Sequence, residues 1–241
     1  MPDGTIAYLL KFAPKDAYID DLLNGHLYMN AAGYYHGLPG EQGDPLEASM
    51  APGVCLYRYA CLPIYCMYTV RENDIVDNAV KIPIRMIQEF GCADGWIGIV
   101  QYDSFASLAD RHTTDDGSIY AHGPVSYGVP GPKLIREIFE GIPHNLVIKT
   151  PKYAYQREYR IIGSRSVECR LLPDENHPSC KIEEYGHAEL DLSGSLTGFT
   201  WRASVPSLEE APDGLVLKPP NSRQAASASR NERKLTYQLP K

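Results

Sequence analysis

The chain has 5 phenylalanines against 17 tyrosines, so its aromatic content is mostly amphipathic and suits a polar cleft or a stacking surface better than a purely greasy core. No apolar run approaches the 18 or more residues that a membrane helix needs. The first residues, M-P-D-G, lack the basic and apolar regions of a signal peptide, and the expected location is cytoplasmic. There is no C-x-x-C pair. The six cysteines (Cys55, Cys61, Cys66, Cys92, Cys169 and Cys180) are scattered, which fits reduced core thiols better than zinc ligation or a disulfide framework, and no metal site is expected from them. Basic charge is also short: the net charge of −7 and a pI near 5.5 argue against a general electrostatic footprint for nucleic acid. Phosphate-loop signatures are missing as well, since G-K-[ST] is absent and no G-x-G-x-x-G opens a helix.

What is present centres on residues 152–163, K-Y-A-Y-Q-R-E-Y-R-I-I-G. Tyrosines and β-branched residues favour a strand there, and on a strand residues two apart share a face, so Gln156 and Glu158 are expected to point the same way. A carboxylate beside an amide can hold a sugar hydroxyl, stabilise a nearby cation and fix a second polar group. The competing reading of Glu158 is an ion pair with Arg157, Arg160 or Lys152 on a solvated strand.

Read from the start, residues 6–12 form an apolar strand ended by Pro14. Tyr18, Ile19, Leu22 and Leu23 make a helical stripe that Asn24-Gly25 stops, and residues 26–30 resume as a strand. Lys11 lies near the end of the first strand and Asn30 at the end of the second. Residues 31–49 read as a loop crowded with Tyr34, Tyr35, His36, Asp44 and Glu47, and a loop of this length in a compact domain is more often functional than idle. Apolar stretches at 54–60 and 62–70 are separated by Pro63, which marks an edge or bend. A helix within 80–90, starting near Pro83 and stopped by Gly91, a buried strand over 96–102 and a short helix from Asp103 to Arg111 follow. Then come a strand at 124–127, a helix over 133–140, a strand at 146–149, and short strands at 167–172, 180–184, 187–192 and 196–203. Beyond residue 204 little buried structure is expected outside 214–218 and 235–239.

Strands and short helices mixed without regular alternation disfavour a doubly wound parallel sheet. The expected fold is α+β with a mainly antiparallel sheet, as one domain over 1–203 with a partly disordered extension over 204–241.

The ordered set Y-L-L-K-F, L-L-N-G-H-L-Y-M-N, G-D-P-L-E, V-S-Y-G and V-I-K-T-P-K-Y-A-Y-Q-R-E-Y-R-I resembles a large uncharacterised family of bacterial and phage proteins over roughly residues 6–200. In that family the pattern is L-x-K-Y, a short helix, L-Y-x-S, N-D-P-F-E, V-x-Y and K-x-x-x-W-x-x-E-x-E-x-R-[IL]. Its general plan is in turn similar to the ADP-ribosyltransferase superfamily, with a split, mainly antiparallel sheet. That resemblance places Lys11 where the superfamily has Arg or His, Asn30 near its Ser, Thr or Tyr, and Gln156 and Glu158 on Q-x-E. Lys and Asn depart from the usual choices at the first two positions.

The resemblance implies NAD as substrate and a transferase, of the toxin or phage-defence kind, acting on a macromolecular acceptor that the sequence does not name. In it, Glu158 would hold the ribose 2′-hydroxyl and stabilise the ribosyl cation while Gln156 orients the acceptor. Tyr34 or Tyr35 would stack on a ring, Lys11 would meet the pyrophosphate, and Asp44 would wall the site. Two other classes stay open. In one, Asp44, Glu47 and Glu158 converge with Lys149 or Lys152 as a metal-dependent phosphodiesterase or nuclease. In the other, the protein is a non-catalytic module that binds a nucleotide or a protein.

Overall fold

A computed structural model describes residues 4–36, 38, 49–51, 54–55, 57–90, 92–128, 144–172, 181–192, 196–211 and 214–218. The strands in chain order are β1 (Ile6–Ala13), β2 (His26–Ala31), β3 (Ser49–Ala51), β4 (Val54–Cys55), β5 (Pro63–Arg71) and β6 (Ile75–Val76). They continue with β7 (Ala79–Pro83), β8 (Trp96–Gln101), β9 (Ile119–Pro124), β10 (Ser126–Tyr127), β11 (Ile148–Lys149) and β12 (Glu158–Gly163). The last six are β13 (Cys169–Leu172), β14 (Lys181–Tyr185), β15 (His187–Asp191), β16 (Thr200–Ser204), β17 (Glu209–Ala211) and β18 (Gly214–Leu217). The helices are α1 (Asp16–Leu23), α2 (Ala32–His36), α3 (Tyr57–Ala60), α4 (Ile84–Glu89) and α5 (Tyr102–Thr114). The architecture is mixed α+β, and its sheets are mostly antiparallel.

The chain divides into two compact units, each assembled from segments distant in sequence. The first comprises Met1–Gly25, Val70–Phe105 and Ser193–Lys241, and the second His26–Thr69 and Ala106–Leu192. In the first unit β1, β8 and β16 form an antiparallel ribbon in that order. Helix α1 buries Ile19 and Leu22, and it packs on the ribbon at Gly98, where an added Cβ would lie 3.0 Å from Leu22 Cδ2. Asn24 and Gly25, the latter at φ 86°, stop α1 as its sequence predicts. A second antiparallel sheet runs β17-β18-β7-β6, so ordered structure extends past residue 204, with Leu215 and Leu217 buried.

The second unit is built on a five-stranded antiparallel sheet in the order β15-β2-β5-β12-β9. Its register sets which side chains share a face. Asn30 lies opposite Ile64, Cys66 opposite Arg160 and Tyr68 opposite Glu158. Asn30, Ile64, Cys66, Arg160 and Glu158 therefore line one face, while Met29, Tyr159 and Ile161 line the other. The first face carries an apolar cluster of Ala32, Tyr59, Ala60, Ile64, Leu146 and Ile162, contributed in part by α2 and α3.

Several sequence expectations are corrected. The stretch read as loop from residue 31 begins with the end of β2 and then α2, which carries Tyr34 and Tyr35 on a helix. Within the first apolar stretch residues 57–60 are helical, and Pro63, read as an edge or bend, opens β5. A proline at the first position of a strand gives up no hydrogen bond the ladder needs, which is why it is tolerated there. The helix expected to start near Pro83 is α4, with Pro83 at its N-cap, and only the residues before it differ, since they form β7. The strand expected at 124–127 is the end of β9, which begins at Ile119, followed by β10. The helix expected over 133–140 and the buried structure expected over 235–239 lie outside the described residues.

Candidate functional site

Glu158 opens β12, and every residue of that strand is buried. Its carboxylate meets two cations: Arg160 Nε donates to Oε1 at 2.5 Å and Lys149 Nζ lies 2.7 Å from Oε2. The side chains of Glu158 and Lys149 are each 7% exposed and that of Arg160 is 1% exposed. Burial by itself raises the Glu158 carboxyl, but Arg160 and Lys149 outweigh it and hold the group well below the ordinary carboxylate range. Cys66, on the neighbouring strand, adds a thiol hydrogen bond to the same carboxylate, and burial beside that negative charge pushes the thiol far above its usual value. Arg160 also donates through Nη1 to the Leu146 carbonyl at 2.6 Å.

Gln156 does join Glu158, though not by the route read from sequence. It lies at the end of a 3-10 turn over Pro151–Gln156 and not on the strand, so no pleat puts the two side chains on one face. They meet instead through a shared cation: Lys149 Nζ donates to Gln156 Oε1 at 3.0 Å while pairing with Glu158. The residue between them makes this possible. Arg157 takes a left-handed conformation at φ 41°, which costs a non-glycine residue about 1 kcal/mol, and its carbonyl is held by both the backbone N–H and the hydroxyl of Thr69 at 2.8 Å. The backbone of Glu158 is pinned as well, its N–H donating to Tyr127 Oη at 2.7 Å and its carbonyl accepting from Val125 N–H at 2.8 Å. Strand β10, which carries Tyr127, runs parallel to β11, which carries Lys149, and so fixes both sides of the cluster.

Two other expected residues border this cluster. Tyr35 and Asn30 are half-buried, their side chains are hydrogen-bonded to each other, and the Tyr35 phenol is raised first by burial and then by its neighbours Cys66 and Glu158. Tyr34 points elsewhere: it is 38% exposed and packs edge-on against Tyr185, with ring centroids 6.2 Å apart. Lys11 belongs to the first unit, on β1 opposite Gly98. Asp44 and Glu47 lie outside the described residues. Among the described residues no group of three His, Cys, Asp or Glu side chains could hold a metal ion, and no helix is long and apolar enough to cross a membrane.

Sequence reasoning did not single out Tyr127 or Cys66, and it brought Lys149 to Glu158 only for a metal-dependent site, not as the ion-pair partner that the structure shows. Arg160 was named as a pairing partner of Glu158 on a solvated strand; the pair forms, two residues apart on one face, but it is buried. Cys66 and Tyr127 carry no local signal, since only strand register brings them to the carboxylate.

The opposite face of the sheet has its own polar groups. His122 accepts or donates through Nδ1 to Tyr159 Oη at 2.6 Å and through Nε2 to Asp110 at 3.0 Å, tying α5 to β9 and β12. A groove of about 390 Å³ runs past Met29, Pro63, Asp116, Ser118, Arg165 and Leu190. His112, Asp116 and Ser118 beside it do not form a nucleophilic relay: the carboxylate and the hydroxyl both meet His112 Nδ1, at 2.8 and 3.3 Å, so that nitrogen cannot serve as base for Ser118 while bonded to Asp116. No family model, curated protein or solved structure matches this chain.

Proposed function

We propose that the second unit binds a nucleotide, with the Lys149, Gln156, Glu158 and Arg160 cluster recognising its phosphates and Glu158 acting chiefly to position the two cations. The observation that carries this reading is the sharing of one buried carboxylate between Arg160 and Lys149, with Gln156 on the same ammonium. Buried ionic networks are costly to assemble, and a network of fixed cations with a neutral amide suits an anionic group. The half-buried Asn30, Tyr35, Cys66, Tyr127 and Tyr155 around it supply further polar contacts for a sugar or phosphate.

A second reading is NAD-dependent ADP-ribosyl transfer on a split antiparallel sheet, and the convergence of Gln156 and Glu158 favours it. Glu158 is ionised at neutral pH, as a cation-stabilising carboxylate must be. Two cations already neutralise its field, however, and a ribosyl cation forming beside it would gain less than from a carboxylate without such partners. Binding therefore ranks above catalysis.

One experiment separates the two. Thermal shifts of the full chain are measured with ADP, NAD and each with Mg²⁺, and NAD consumption is followed for wild type and Glu158→Gln. Binding of ADP and NAD without turnover supports the first reading. NAD turnover that falls about 10²-fold or more in Glu158→Gln supports the second. No shift with any nucleotide overturns both.

A further inference from the structure

The exposed end of the same sheet face carries an aromatic pair that the cluster does not use. Tyr28 on β2 is 51% exposed and stacks on His187 of β15, with ring centroids 4.6 Å apart and planes 23° from parallel. His187 lies directly opposite Asn30, and Asn30 is hydrogen-bonded to Tyr35, which feels the charges of Glu158 and Arg160. Tyr28 stands two residues from Asn30 on the same face, roughly 7 Å along the strand. The polarity of this face is graded. Lys149 and Arg160 lie at the cluster, whereas Glu189 stands opposite Tyr28 and Asp191 opposite His26.

From this continuity we infer that the nucleotide taken by the proposed site places its base on Tyr28, with its phosphates toward Lys149 and Arg160. The inference rests on the nucleotide-binding reading above. A planar base gains most from an exposed ring already braced from one side by His187. Acidic Glu189 and Asp191, opposite Tyr28 and His26, repel phosphate from the Tyr28 end. The cations draw phosphate to the other end, which fixes the direction of the ligand.

The test is calorimetric titration of the full chain with ADP and with inorganic pyrophosphate, in wild type, Tyr28→Ala, Tyr28→Phe and Lys149→Met. The expected result is that Tyr28→Ala weakens ADP on the order of tenfold and leaves pyrophosphate unchanged. Tyr28→Phe keeps the wild-type ADP affinity, and Lys149→Met weakens both ligands. If Tyr28→Ala binds ADP as wild type does while Lys149→Met loses it, the base-stacking inference falls and the nucleotide reading stands. A loss of ADP binding in Tyr28→Phe, which preserves the ring, also overturns the inference. If wild type binds neither ligand, the nucleotide reading itself falls and takes the inference with it.

Discussion

Replacing Glu158 by glutamine keeps the size of the side chain and one carbonyl acceptor but removes the charge shared by Arg160 and Lys149. Removing one member of a buried ionic group typically costs about 3–5 kcal/mol, because the partners stay buried without the compensating charge. Here both cations retain neutral acceptors, Lys149 at Gln156 Oε1 and Arg160 at the Leu146 carbonyl, which places the expected loss near the lower end, about 3 kcal/mol. A solvated strand pair would cost about 1 kcal/mol or less. The first value predicts a fall in melting temperature of roughly 6–12 °C for a protein of this size, and the second roughly 2–4 °C. Urea unfolding followed by circular dichroism reads the difference directly, provided the slope of free energy against urea is unchanged. A loss of 1 kcal/mol or less would refute the buried ionic network as a source of stability. Lys149→Met combined with Glu158→Gln should cost less than the sum of the single changes, since the pair is removed together.

Three further outcomes follow from the same structure. The Glu158 carboxyl is held below its unfolded value of about 4.3, so its contribution is fully present above that pH and fades as pH falls through the lower folded value. The gap in melting temperature between wild type and Glu158→Gln should therefore be widest at neutral pH and shrink in acid, and a pH-independent gap would contradict the assignment. Gly163→Ala puts a Cβ 2.7 Å from Pro63 Cγ, in a ring that cannot swing aside, and should lower stability by roughly 1–3 kcal/mol; an unchanged urea midpoint would show that β5 and β12 separate there at little cost. Cys66 should react with iodoacetamide at pH 8 at least about tenfold more slowly in the folded protein than in urea, because burial and the Glu158 charge disfavour its thiolate, and mass spectrometry of the labelled peptide would expose the contrary result.

Local pattern was enough for β1, α1 and β2, because an apolar run ended by proline, a helical stripe stopped by Asn-Gly and a resumed strand are all short-range signals. It was also enough to single out Glu158 and Gln156, and to expect an antiparallel α+β fold from the irregular mixture of strands and short helices. The joining of those two side chains was a different matter. The sequence reading used a pleat, but a left-handed Arg157 ends the turn before the strand begins, and its geometry depends on Thr69, 88 positions away in the chain. Lys149 reaches both side chains because β11 lies beside β10, and Cys66 reaches the carboxylate because β5 pairs with β12 in one register and no other. Residue type and spacing carry information over a few positions, whereas the charge state of Glu158 depends on which distant groups share its burial, and that is decided only when the strands pair.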